Sequence, residues 1–323
     1  MSTLRRALRR LRATQPFNGL ATSTAKALLT GPTGPPDWIV DHLHRHGNVE
    51  SVLPNGRTLR LWSRADDWVS NQVFWRGWQG YEPETVPLFY RLACDSAVIL
   101  DIGAYVGFFS LLAGHANPRS RVFAFEPLPL AYERLLQNVA RNALSNVTSV
   151  ATAIGREEGE VEFFHQSPAA AAVTASDGEA AIPCSSSLSE AFFMPGAQGL
   201  VSTKVRVTTM DGFLGGQNIE TVDLVKIDTE TTEPDVLEGM TATLRRSRPA
   251  IFCEVLGNAL IERLEGIVHS HGYSAYLLTD KGPVRKERIA GHPVFLNYFF
   301  TTMDDTAVKQ LATEAAQLAA RSS

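Results

Sequence analysis

The stretch Ala97-Val-Ile-Leu-Asp101-Ile-Gly103-Ala-Tyr-Val-Gly107 decides how the chain is read. Its apolar run is too short for a helix and reads as a buried parallel strand. Asp101 stands at the strand's end. Gly103 and Gly107 then let the backbone turn tightly and let a ligand come close to it. An apolar helix start follows. Strand, glycine loop and helix in that order place a ligand at the carboxyl end of an open sheet.

The loop is not a dinucleotide fingerprint. D-x-G-x-x-x-G lacks the middle glycine of G-x-G-x-x-G, and Asp101 puts negative charge where a pyrophosphate would be repelled. That disfavours a nicotinamide-dependent oxidoreductase. The next apolar run, Arg121-Val-Phe-Ala-Phe-Glu126-Pro127, ends in a second acid about twenty residues on, where an acid holds ribose hydroxyls. Two acids on adjacent strand ends, with no phosphate loop, suit a nucleoside carrying positive charge. S-adenosyl-L-methionine has that chemistry.

Working outward, strands are expected at 97–102, 121–126, 147–154, 222–228, 249–256, 273–279 and 294–302. Helices are expected at 106–116, 129–143, 234–246, 258–271 and 304–320. Only the turn-rich stretch 280–293 separates the last two strands, too little for a helical crossover, so they should pair antiparallel. The expected fold is α/β: a Rossmann-like, seven-stranded, mostly parallel sheet with an antiparallel C-terminal hairpin, plus a small N-terminal unit.

Three segments are expected: 1–36 as basic arm and linker, 37–96 as the N-terminal unit, and 97–323 as the main domain with an insertion at 166–203. The arm carries Arg5, Arg6, Arg9, Arg10 and Arg12 beside Leu4, Leu8 and Leu11 at helical spacing. It reads as a solvated terminal helix or disordered arm, with weak contact to an anionic membrane surface as the alternative. In the N-terminal unit, 49–53 and 58–62 flank an Asn-Gly turn and form a hairpin. The aromatic stretch after it (Phe74, Trp75, Trp78) should pack that hairpin onto the sheet rather than line a substrate mouth. The insertion has an apolar tip, Phe192–Met194, and is long enough to be a lid.

The 323 residues carry a net charge of −4, which gives no electrostatic argument for nucleic acid. The three cysteines, Cys94, Cys184 and Cys253, are far apart and show no C-x-x-C, so reduced thiols and a cytoplasmic location are expected. No apolar run is long enough to span a bilayer, and no secretory h-region is read at the N-terminus. A homo-oligomer stays open.

The second informative stretch is Asp223-Leu-Val-Lys226-Ile-Asp228-Thr-Glu230-Thr231-Thr-Glu233. Lys226 and Asp228 are two apart and share a face of their strand. A lysine in an apolar strand is costly unless paired or deprotonated. If the following strand is a neighbour, Glu254 near its end joins them. Such a cluster sits where a methyl acceptor would, with Asp228 as base or orienting group and Lys226 and Glu254 setting its charge. The alternative for Lys226 and Glu254 is a buried structural ion pair. Carboxylates this close could also hold a divalent cation such as Mg²⁺, though no residue is assigned as a metal ligand.

Together with Phe125-Glu-Pro127, Asn138, Asn142, Leu237-Glu-Gly239 and Arg248-Pro249, these two stretches resemble the FkbM family of S-adenosylmethionine-dependent class I methyltransferases, over about 66–302. Asp66-Asp-Trp-Val-Ser70 and Tyr81-Glu-Pro83 add to the likeness. The resemblance implies Asp101 and Gly103 at the methionine part of the cofactor, Glu126 on the ribose, and Ala153 and Ile154 beside the adenine. Tyr105, Gly107 and Pro127 complete the implied contacts. It also implies O-methylation of a small-molecule acceptor, a sugar or natural product. Other acceptors (a peptide nitrogen, a carboxylate) and a non-catalytic cofactor-binding role remain alternatives. Thr231 stands where the family usually has glycine.

Overall fold

The computed structural model describes residues 17–29, 35–167, 182–183, 186–187, 199–257 and 260–321. The arm at 1–12, the insertion tip Phe192–Met194 and Cys184 lie outside the described residues. The chain opens with α1 (Phe17–Leu29), α2 (Asp37–His42), the hairpin β1 (His46–Val52) and β2 (Thr58–Arg64), then α3 (Trp68–Arg76) and α4 (Val86–Ala93). The first core units are β3 (Val98–Ile102), α5 (Phe108–Ala116), β4 (Arg121–Phe125), α6 (Pro129–Arg141) and β5 (Val147–Val150). A side sheet follows: β6 (Ala153–Ile154), β7 (Gly159–Gln166), β8 (Ser186–Ser187) and β9 (Leu200–Thr208). Then come α7 (Met210–Gly216), β10 (Leu224–Ile227), α8 (Glu233–Glu238), α9 (Thr241–Ser247) and β11 (Ala250–Glu254). The chain closes with α10 (Ile261–Ser270), β12 (Ser274–Thr279), β13 (Gly282–Lys286), β14 (Asn297–Thr301) and α11 (Asp305–Ala320).

The main sheet has the order β13-β12-β14-β11-β10-β3-β4-β5. The five strands from β11 to β5 are parallel, and β14 runs antiparallel between β11 and β12. Both faces are covered. Ile99, Val122 and Phe252 join one core cluster, while Leu100, Phe123 and Ile251 join the other. That is why these strands read as continuous apolar runs. Each buried side chain of this size contributes about 1.5–3 kcal/mol. The sheet therefore fixes where Asp101, Glu126 and Lys226 emerge.

Four expectations change. The sheet has eight strands, not seven, because β13 lies within 280–293 and pairs with β12. It is an edge strand with little buried surface, so it leaves no apolar run to read. The expected strand 147–154 is two strands in two sheets. Thr152 donates its N–H back to Val150 (2.9 Å), and Ala153 and Ile154 then pair with Val207 and Thr208. The expected helix 234–246 breaks at Gly239, where a Cβ would lie 2.0 Å from the Gly155 carbonyl oxygen. There the Asp211 carboxylate accepts the Ala242 and Thr243 N–H groups at 2.8 and 2.9 Å and starts α9 afresh. The unexpected α7 is capped by Thr209, which accepts from Gly212 N–H.

The N-terminal hairpin is tied to α6 by side-chain amides. Asn138 accepts the Trp62 N–H (2.8 Å) and Asn142 the Arg60 N–H (2.9 Å). Arg134 of the same helix pairs with Asp66 at 2.8 Å, and Asp67 caps α3 by accepting the Ser70 N–H. Phe74, Trp75 and Trp78 are buried in the core cluster shared with the sheet.

Candidate active site

At the carboxyl ends of β3, β4, β10 and β11 the strands open onto a cavity of about 250 Å³. On one wall stand Gly103, Tyr105, Glu126, Pro127, Ala153 and Ile154. Glu126 is built into its place: it accepts the Tyr105 N–H at 2.8 Å and the Leu128 N–H at 2.7 Å. Burial pushes its carboxyl up to about 7, against the pull of those two donors. Gly103 has φ +82°, and a Cβ there would lie 1.8 Å from the Asp228 carbonyl oxygen, so only glycine lets loop and neighbouring strand meet.

Asp101 and Gly107 do not line this cavity. Asp101 is buried beneath the loop, accepts the Ser110 hydroxyl at 2.5 Å, and is raised by burial to about 6. It pairs in register with Lys226 on the adjacent strand. Gly107 starts α5 and packs under Leu135.

From the β10 and β11 side the same cavity is lined by Asp228, Thr229, Glu230 and Glu254. Lys226 is 1% exposed, and its Nζ lies 3.1 Å from Asp228 Oδ2. Burial pulls the Lys226 pKa down, but Asp228, Glu82 and Glu254 outweigh it and hold the lysine above its usual range. The cation is paired rather than deprotonated. Burial, then Asp228 and Glu230, raise Glu254 well above the usual carboxyl range. Its Oε2 has no hydrogen-bond partner among the described residues. Burial, Asp228 and Glu233 push Glu230 up to about 8.

Sequence reasoning missed Glu82 as a member of this cluster. It reaches in from the segment before α4, 3.9 Å from Lys226, and accepts from Asn297 of β14 at 3.0 Å. Burial raises it to about 7 despite Lys226. Its only signal was the Tyr81-Glu-Pro83 likeness. Trp68 and Tyr81 line the cavity in place of the aromatics singled out, and Trp68 is 42% exposed. Two described pieces of the insertion touch the site: Ile182 accepts the Tyr105 hydroxyl at 3.1 Å, and Ser187 donates to the Glu230 carbonyl at 2.6 Å. Among the described residues, no group of three or more His, Cys, Asp or Glu side chains is disposed to hold a metal ion.

The FkbM methyltransferase domain model matches residues 101–275. "Methyltransferase 1" of Beauveria bassiana is 30% identical over 45% of this chain and 59% of its own length. "Methyltransferase sdnD" of Sordaria araneosa is 28% identical over 44% of this chain and 60% of its own length. The chain thus matches only about three-fifths of each of these relatives. A crystal structure titled methyltransferase FkbM, from Methylobacillus flagellatus KT, is 13% identical, with TM-score 0.41, covering 64% of this chain and 44% of that one. With more than half its length matched, loops and strand ends included, the chain belongs to the FkbM methyltransferase family.

Proposed function

We propose that this chain is an S-adenosylmethionine-dependent O-methyltransferase acting on a hydroxyl of a small molecule, a sugar or natural product. The observation that carries the reading is one cavity lined both by Glu126, at the end of β4, and by Asp228, which pairs with the buried Lys226 at the end of β10. Glu126 spends its two carboxyl oxygens on backbone donors, yet still lines the cavity, the posture of an acceptor for ribose hydroxyls. The loop carries no phosphate cradle, and the walls are acidic, which suits a cationic cofactor.

When bound, the cofactor supplies a methyl group already activated by its sulfonium. The chain's own work is then to align a hydroxyl and take its proton. Alignment is worth about 7–11 kcal/mol, and a positioned base about 10²–10⁴-fold. Asp228 is the acceptor-side carboxylate with a fixed counter-charge, so it is assigned as base or orienting group. Glu254, with one oxygen that has no partner among the described residues, lines the cavity and is assigned to hold the acceptor. Trp68 at the rim offers a flat apolar face to a sugar ring or planar scaffold. Among the described residues no helix is long and apolar enough to cross a membrane, and a cytoplasmic location is part of this proposal.

The test is calorimetric titration of S-adenosylhomocysteine, with and without Mg²⁺, followed by turnover of methyl-labelled cofactor against glycosylated and free hydroxyl acceptors. Micromolar binding and label transfer to oxygen support the reading. Absence of binding in both buffers would sink it.

A further inference from the structure

The turn after β10 is strained. Glu230 has φ +53° and Thr231 φ +82°, two successive non-glycine residues in the left-handed region. For β-branched Thr231 this is an outlier, and such geometry persists only where the surroundings over-determine it. Most of the restraint on the turn comes from one carboxylate. Glu233, 4% exposed, turns back from the start of α8 and offers its Oε1 to three donors. They are the Thr231 N–H at 3.0 Å, the Thr229 hydroxyl at 3.2 Å and the Thr229 N–H at 3.3 Å. From the other side Ser187 donates to the Glu230 carbonyl. The backbone between these two anchors carries Thr229 and Glu230 into the cavity wall.

We propose that Glu233 is a positioning residue: it holds the Thr229–Thr231 turn in its strained form and thereby aims Glu230 at the acceptor, making Glu230 a specificity-determining group. The meaning of Glu230 rests on the methyltransferase reading above; the brace itself does not. Glycine at 231 would adopt φ +82° without strain, whereas threonine adopts it only while Glu233 restrains it. Thr231 and Glu233 are therefore energetically coupled in this chain.

A double-mutant cycle tests this. Wild type, Glu233→Leu, Glu233→Gln, Thr231→Gly and Thr231→Gly/Glu233→Leu are compared by residue-resolved hydrogen exchange and by titration of S-adenosylhomocysteine. Leucine keeps the volume and removes the acceptor; glutamine keeps an acceptor oxygen. Glu233→Leu is expected to lower protection of the Thr229 and Thr231 amides by about tenfold or more, the scale of a released backbone strain. Protection in β3 and β4 should stay unchanged. Glu233→Gln should retain most of the protection. In the Thr231→Gly background the loss caused by Glu233→Leu should shrink to about threefold or less. A loss spread evenly over the sheet would mean that Glu233 acts on global stability alone and would overturn the brace. Equal losses in the threonine and glycine backgrounds would overturn it as well. S-adenosylhomocysteine binding reports separately: wild type that fails to bind refutes the cofactor reading, whatever the exchange data say.

Discussion

The two walls of the cavity are built differently. On the side proposed for the cofactor the central carboxylate is held locally: Glu126 accepts from the N–H groups of Tyr105 and Leu128, close to β3 and β4. The acceptor wall is assembled from distant segments. Lys226 and Asp228 come with β10, Glu254 with β11, Glu82 from before α4, and Ser187 from the insertion. Local wiring presents one ligand in one pose. Remote wiring lets each element change without rebuilding the others.

If the walls divide the work, variants should divide too. The largest effect is expected from Asp228→Asn, which should lower kcat by about 10²–10⁴-fold while S-adenosylhomocysteine affinity stays within about threefold. A wild-type rate would remove Asp228 from the mechanism. Next is Lys226→Met. Removing one partner of a buried ion pair costs about 3–5 kcal/mol. The lower end is expected, because Glu82, with a pKa near 7, takes up a proton in compensation. Urea unfolding measures this, and an unchanged midpoint would show that the pair contributes nothing to stability. Smaller again is Glu126→Gln. It should weaken S-adenosylhomocysteine by about 10–100-fold, the worth of charge-assisted hydrogen bonds, and leave the maximal rate at saturating cofactor nearly untouched. If kcat falls as far as affinity does, the division between walls is wrong.

The same contrast explains what the sequence disclosed. Asp101, Glu126 and the strands beneath them stand in short apolar runs whose ends are visible, so the α/β class and the place of Glu126 at the cavity follow from a few dozen residues. Lys226 with Asp228 was legible because strand periodicity alone puts them on one face. Glu82 was not, since its place depends on a tertiary contact with Asn297 and Lys226. The helix break at Gly239 depends on the Gly155 backbone passing beneath it, and no local propensity encodes that. The edge strand β13 lacks the buried face that gives strands their pattern. Thr231 was visible as a missing glycine, but its positive φ and its brace by Glu233 needed coordinates.

Acidity gives the finest test of the comparison. Burial lifts Glu126 to about 7 in the ligand-free protein, above its unfolded value near 4.5. Its folded form therefore binds a proton more tightly than the unfolded chain does. Stability from this group is present at low pH and is lost as pH rises from about 4.5 to 7. Glu82 and Glu233, both near 7, add slopes of the same sign. The ligand-free protein should thus melt at progressively lower temperature across that window. Ribose hydroxyls donate to the ionised carboxylate, so ligand affinity should run the other way. S-adenosylhomocysteine should bind about tenfold more tightly at pH 8 than at pH 6, the ratio of ionised fractions for a group near 7. Glu126→Gln should flatten the binding slope and leave most of the melting slope, because the latter is shared with the acceptor wall. A binding slope that survives Glu126→Gln would move the titrating group across the cavity, to Glu82 or Glu230, and would show that the cofactor reads both walls.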